Sequence, residues 1–177
     1  MVGERLLINV IFQRNLYKLV QRSVGRRNMS NDCLFCGIAK GTVPETPLVY
    51  SDEEFAVFRD RKPAAEYHYL VVPKDHFGKV TSLENEQSEM ISRMEDVGKY
   101  VLANEKDGFN GVIDNLPENL PDALLGFHWP ICLVGHLHMH VIHPASSMSF
   151  FNRNVVFSKK LSFGTSDMAI KLLEKKE

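Results

Sequence analysis

Cysteine is scarce in this chain. Three thiols in 177 residues, at positions 33, 36 and 132, are too few for a disulfide framework. A surplus of cations is missing too: the formal net charge of −1 argues against a protein that grips nucleic acid by charge alone. Long apolar runs are absent, and the stretch from Leu6 to Phe12 is far too short to cross a bilayer. No internal repeat is present. With 44% hydrophobic and 24% charged residues, the composition is that of one ordinary globular domain with enough apolar material for a core.

Acidic residues are nearly missing from the first 28 positions, where Glu4 faces Arg5, Arg14, Lys18, Arg22, Arg26 and Arg27. That net of +5 leaves −6 for the remaining residues against −1 for the whole chain, so the two parts differ in kind. Ile8, Phe12, Leu16, Leu19 and Val20 form a helical stripe, and a basic amphipathic stretch of this sort reads as a mitochondrial presequence or an interfacial helix. It lacks an evident small-residue cleavage site for secretion. The alternative is a start at Met29, with the preceding stretch an extension of no consequence. Residues 1–31 are therefore expected to be an extension and residues 32–177 the domain, located in the cytoplasm or nucleus, or in mitochondria if the extension is a targeting signal.

What is present is histidine, placed with a pattern. His136, His138 and His140 alternate with Leu137, Met139 and Val141, so an extended strand would put three imidazoles on one face and three apolar side chains on the other. His143 has the wrong parity and stands at the turn made by Pro144. A strand that merely packs has no use for three titratable rings, each of which needs a partner once out of water. The bland alternative is a surface strand whose histidines face solvent. Two chemistries fit the cluster: a neutral ring attacking phosphorus while its neighbours donate to phosphate oxygens, or imidazoles clamping a zinc that activates water. No carboxylate that would orient zinc ligands lies near this strand in sequence.

The remaining patterns interleave helix and strand. Residues 33–40 suit a short helix ended by Gly41, 48–50 and 55–58 suit a hairpin, and 67–72 suit a third strand closed by Pro73. Thr81 and Glu84 have capping-box spacing before an apolar stripe from Leu83 to Val101, which predicts the longest helix over about 82–105. Gly, Asn, Asp and Pro between 106 and 122 predict a loop, 123–127 and 131–142 the last strands, and Ser166 the start of a closing helix. The fold class is α+β: a mostly antiparallel sheet of about five strands, with one long and two short helices packed on one side.

The triad from His136 to Ile142 resembles the signature of the histidine triad superfamily, and other stretches agree in the same order. Cys33-Leu34-Phe35-Cys36-Gly37, Phe58-Arg59-Asp60, Lys62-Pro63 and the run from His68 through Pro73 and Lys74 to His76 are similar to its nucleotide-binding branch, so the likeness covers about residues 32–145. Gly126-Phe127-His128 and a cysteine ahead of the triad are most like the third histidine triad nucleotide-binding subfamily. The resemblance implies a nucleoside phosphoramidate hydrolase acting on a purine nucleotide. His138 would be the nucleophile toward the α-phosphate, His140 a donor to its oxygens, and His136 the residue that orients the cluster. Asp60 would accept the ribose hydroxyls, Phe58 and Ile38 would line the base pocket, and His128 would hold phosphate or ribose. It also implies a homodimer with one continuous sheet and no cofactor required for catalysis, and the net charge adds the expectation of no specific nucleic-acid partner.

Cys33 and Cys36 form one Cys-x-x-Cys pair without the preceding buried strand of a thioredoxin-type site. They are either small buried apolar residues or metal ligands, and the resemblance implies a structural zinc held by Cys33, Cys36, His76 and His136. Two positions depart from the family pattern. Leu133 stands where relatives carry a serine that touches the scissile bridge, and His128 where many have asparagine. The first departure keeps a non-catalytic nucleotide sensor or scaffold in play as the alternative to an enzyme, beside a zinc-dependent hydrolase.

Overall fold

A computed structural model describes residues 33–104, 120–130 and 132–176. Six antiparallel strands form one sheet in the order β1-β2-β3-β5-β4-β6. Helix α1, Leu34–Ala39, ends where Gly41 takes φ +69°, a left-handed conformation that glycine adopts without a Cβ clash. Strands β1, Leu48–Ser51, and β2, Phe55–Arg59, make the expected hairpin, whose turn is held by Asp52 Oδ1 accepting from the amides of Glu54 and Phe55, both at 2.7 Å. Strand β3, Tyr67–Pro73, is buried along nearly its whole length between β2 and β5.

The long helix α2, Ser88–Asn104, starts later than its sequence pattern predicts. Thr81 does not cap it. Short 3₁₀ turns occupy Val80–Ser82 and Asn85–Gln87, and the reciprocal cap forms around Glu84, whose amide donates to Gln87 Oε1 at 2.7 Å. Most of the expected loop at 106–122 lies outside the described residues. Strand β4, Leu124–His128, follows it, and β5 is Met139–His143 rather than the longer strand expected from residue 131. The sheet has one strand more than expected: β6, Phe163–Thr165, pairs with β4 and leads into α3, Ser166–Glu174, whose N-cap is Thr165.

Register assigns the two faces. Phe58 pairs with Leu70 and Leu70 with His140, so these side chains share a face with Ala56 and Val72, and on that face α1 packs with Phe35, Ile38 and Ala39. Val141 is on the opposite face, against α2, where Gly98 brings the helix so close that a Cβ there would sit 2.7 Å from Val141. The expectation of helices on one side is thus corrected. Helices α2 and α3 pack against each other, α2 covering that second face, while α1 covers half of the first and leaves the other half to histidines. Because β4 is paired on both flanks, a second copy that extended this sheet would have to join at β1 or β6.

Candidate active site and metal centre

The triad is not one regular strand. Only His140 belongs to β5; His136 and His138 precede it, because Leu137 N–H bonds to Phe77 O at 2.8 Å and the strand ladder starts only at Met139, opposite Val71. The apolar alternation still holds, with Leu137, Met139 and Val141 all at 2% exposure or less. The three rings are buried as well. His138 and His140 meet edge to face at a 5.2 Å centroid distance, whereas His136 turns toward α1.

Hydrogen bonds fix the proton on each ring. His138 Nδ1 donates to the carbonyl of His136 at 2.7 Å, which leaves the Nε2 lone pair free for attack. For His140 the order is set by its neighbours. The Ala64 amide donates to His68 Nδ1 at 3.0 Å, so His68 carries its proton on Nε2 and donates to His140 Nδ1 at 2.9 Å. His140 Nε2 is then an N–H donor, and it is buried with no hydrogen-bond partner among the described residues. His136 donates from Nε2 to the Pro73 carbonyl at 2.9 Å, which turns its Nδ1 lone pair toward the two thiols. Burial holds the pKa values of His138 and His140 down, His140 well below the ordinary 6.5, and brings His136 to about 4, so the rings are neutral near pH 7.

Asp60 is brought to the cluster. Its Oδ1 accepts from the Lys62 amide at 2.7 Å, and its Oδ2 lies 3.6 Å from His68 Nε2 and 3.9 Å from His140 Nδ1. His128 is there as well, 4.6 Å from His140 between ring centroids, with Nδ1 donating to Ser162 O at 3.0 Å. Phe58 and Ile38 sit deep in the α1–sheet cluster, and it is Phe35 from that cluster that reaches His138, edge to face at 5.2 Å. Leu133 points away into solvent at 96% exposure. Sequence reasoning gave no role to His68, although its parity with Leu70 and Val72 in β3 is a readable signal. It gave none to Phe157 and Phe163, which pack on His128 and His140 from the segment that follows β5.

The four expected zinc ligands converge: Cys33, Cys36, His76 and His136 place one donor atom each within 4.8 Å of one another. Cys33 and Cys36 Sγ both lie 3.4 Å from His136 Nδ1, and Cys36 Sγ lies 3.2 Å from His76 Nδ1. Bond lengths of about 2.0–2.3 Å to zinc give tetrahedron edges of roughly 3.3–3.8 Å, so the donor set already has nearly the required size. Burial and the neighbouring Cys33 push the Cys36 thiol up to about 11, a penalty that a dication would reverse. Asp60, His68 and His140 form a second group of potential ligands. There the donors are wrong, because His68 presents an N–H and its other nitrogen is occupied by the Ala64 amide.

Comparison with known proteins agrees with this geometry. A family profile described as "Scavenger mRNA decapping enzyme C-term binding" matches residues 32–156. The chain is 37% identical to adenosine 5'-monophosphoramidase HINT3 of Mus musculus over 84% of this chain and 85% of that one. It is 36% identical to the bifunctional adenosine 5'-phosphosulfate phosphorylase/adenylylsulfatase HINT4 of Arabidopsis thaliana over 61% of this chain and 67% of that one. A solved histidine triad protein from Clostridium difficile matches with a TM-score of 0.50 at 28% identity, covering 66% of this chain and 91% of its own. With the motifs in order on the matching sheet, the chain belongs to the histidine triad superfamily, on its nucleotide-binding branch.

Proposed function

We propose that the protein hydrolyses nucleoside 5'-phosphoramidates through a nucleotidyl intermediate on His138. The observation that carries the reading is the fixed proton order: a bare Nε2 on His138 beside a buried, unsatisfied Nε2–H on His140. His138 Nε2 forms a bond to the α-phosphorus, the P–N bond breaks, and the leaving amine takes up a proton from water. Water then attacks the phosphorus, restores the imidazole and releases the nucleoside monophosphate. His140 donates to the phosphate oxygen on which charge accumulates, from a buried ring. His68 positions His140 by accepting from Ala64 and donating onward. Asp60 and His128 border the nucleotide. The phosphoramidase named among the relatives supports the substrate class.

The four-ligand zinc set supports a structural rather than a hydrolytic metal, because all four tetrahedral positions are taken by protein. The ion would tie α1 to the segment before β5 through Cys33, Cys36 and His136. One observation favours a second reading, a nucleotide sensor without turnover: exposed Leu133 supplies no hydroxyl to assist departure of the amine.

Mass spectrometry of the full chain mixed with adenosine 5'-phosphoramidate tests the proposal. The expected result is a transient adenylyl adduct on His138 and released AMP, with hydrolysis lowered by orders of magnitude in His138→Ala while AMP binding persists. AMP binding with neither adduct nor turnover would select the sensor.

A further inference from the structure

Shortly after the triad in sequence, residues 149–161 form a surface of which the site uses only the inward-facing Phe157. Phe150 is 83% exposed and Phe151 62%, and Val155 and Leu161 are exposed beside them. A short π-helix, Asn152–Val156, sets this arrangement by turning Val156 and Phe157 inward while Phe150, Phe151 and Val155 stay outside. The chain carrying Leu161 returns beside this turn, where the Ser162 hydroxyl bonds to the carbonyls of Val155 and Val156, both at 2.8 Å. Four large apolar side chains exposed on one short segment of a folded domain point to a contact surface.

Charge identifies the partner. Arg153, Lys159 and Lys160 flank the apolar group, and no Asp or Glu occurs between Ala123 and Ser166. An open cavity of about 750 Å³ adjoins it, walled by those three cations and floored by Met148 and Phe157. Its one acid, Asp122, is engaged by the amide and hydroxyl of Ser146. Arg153 bonds to the carbonyls of Ser146 and Met148, and Lys159 and Lys160 line the same cavity as exposed cations. Exposed phenylalanines beside aliphatic residues with cations at the rim match an interface of acyl chains below anionic headgroups. A single-stranded nucleic acid would ask for a row of aromatic rings to stack on, and here two of the four apolar side chains are aliphatic.

We infer that the 149–161 surface docks on anionic lipid membranes, with Phe150, Phe151, Val155 and Leu161 entering the interface and Lys159 and Lys160 holding headgroup phosphates at the cavity mouth. Vesicle flotation of the full chain tests this with phosphatidylcholine alone and with phosphatidylcholine mixed with phosphatidylserine. Binding is expected to the mixed vesicles, to weaken with added salt, and to fall about thirtyfold in Lys159→Glu/Lys160→Glu. Phe150→Ser/Phe151→Ser is expected to abolish it, with melting unchanged in both variants because these side chains are exposed.

Three results would overturn the inference. One is equal binding to neutral vesicles. Another is undiminished binding of both variants, which would assign the membrane contact to residues elsewhere, such as the basic stretch 1–28. The third is binding to single-stranded RNA, or self-association, that the same variants remove while vesicle binding is absent.

Discussion

His68 is 2% exposed, with both ring nitrogens engaged, and burial holds its pKa down to about 4 from an ordinary 6.5. Above pH 6.5 the ring is neutral folded or unfolded, so its buried state costs nothing in protonation. As pH falls from 6.5 toward 4, the unfolded chain takes up a proton that the folded chain refuses, and stability is lost by up to about 3 kcal/mol from this residue. Urea midpoints measured between pH 7 and pH 4.5 are expected to fall more steeply for the natural chain than for His68→Gln; parallel slopes would show that His68 does not titrate this way. At this scale the sequence was legible where side chains alternate, as in Leu137, Met139 and Val141. It was not legible where a backbone carbonyl or amide from elsewhere fixes a proton, as Pro73 does for His136 and Ala64 for His68. Those partners are named only by the fold.

Elements carry the site by bracing it. Strand β6 eluded sequence reading because it has three residues with a glycine in the middle, too short for alternation to show. The pairing requires that glycine. A Cβ on Gly164 would overlap the Trp129 indole, and one on Gly126, whose φ is +159°, would overlap the Gly164 carbonyl. Gly164→Ala is expected to cost about 1–3 kcal/mol in urea unfolding by overpacking. Since Ser162 and Phe163 back His128 and His140, the same change should raise KM for the nucleotide; an unaltered midpoint would show that β6 yields at no cost. Helix α1 and the pre-β5 segment are linked instead through the Cys33, Cys36, His76 and His136 donors. Elemental analysis is expected to find about one zinc per chain, and chelation or Cys36→Ser to lower the melting temperature. Metal-free protein that melts at the same temperature would remove the site. If chelation left the melt intact but stopped turnover, and zinc restored it, a metal-bound water would replace His138 as nucleophile. The Cys-x-x-Cys pair announced half of this centre; the other half comes from residues 40 and 100 positions from Cys36, which spacing alone does not connect.

For the whole molecule, the main question is where the folding unit begins. Residues 31–177 form a compact unit of their own, and its elements close on each other: α1 lies on β1–β3, α2 lies on β3, β5 and β4, and α3 lies on α2, β4 and β6. The net charge changes from +5 to −6 at about residue 28, which makes Met29 the start to test. Every hydrogen bond that sets a triad proton, and all four potential zinc ligands, come from within residues 33–140. A chain starting at Met29 should therefore melt as cooperatively as the full one, hold as much zinc as the full one, and give the same outcome with adenosine 5'-phosphoramidate. Calorimetry and mass spectrometry of the two chains decide the matter. A broadened or lowered transition in the shorter chain would show that the basic stretch contributes to the core. An unchanged transition would leave that stretch free for another task, such as addressing the domain to a compartment, without the catalytic geometry depending on it.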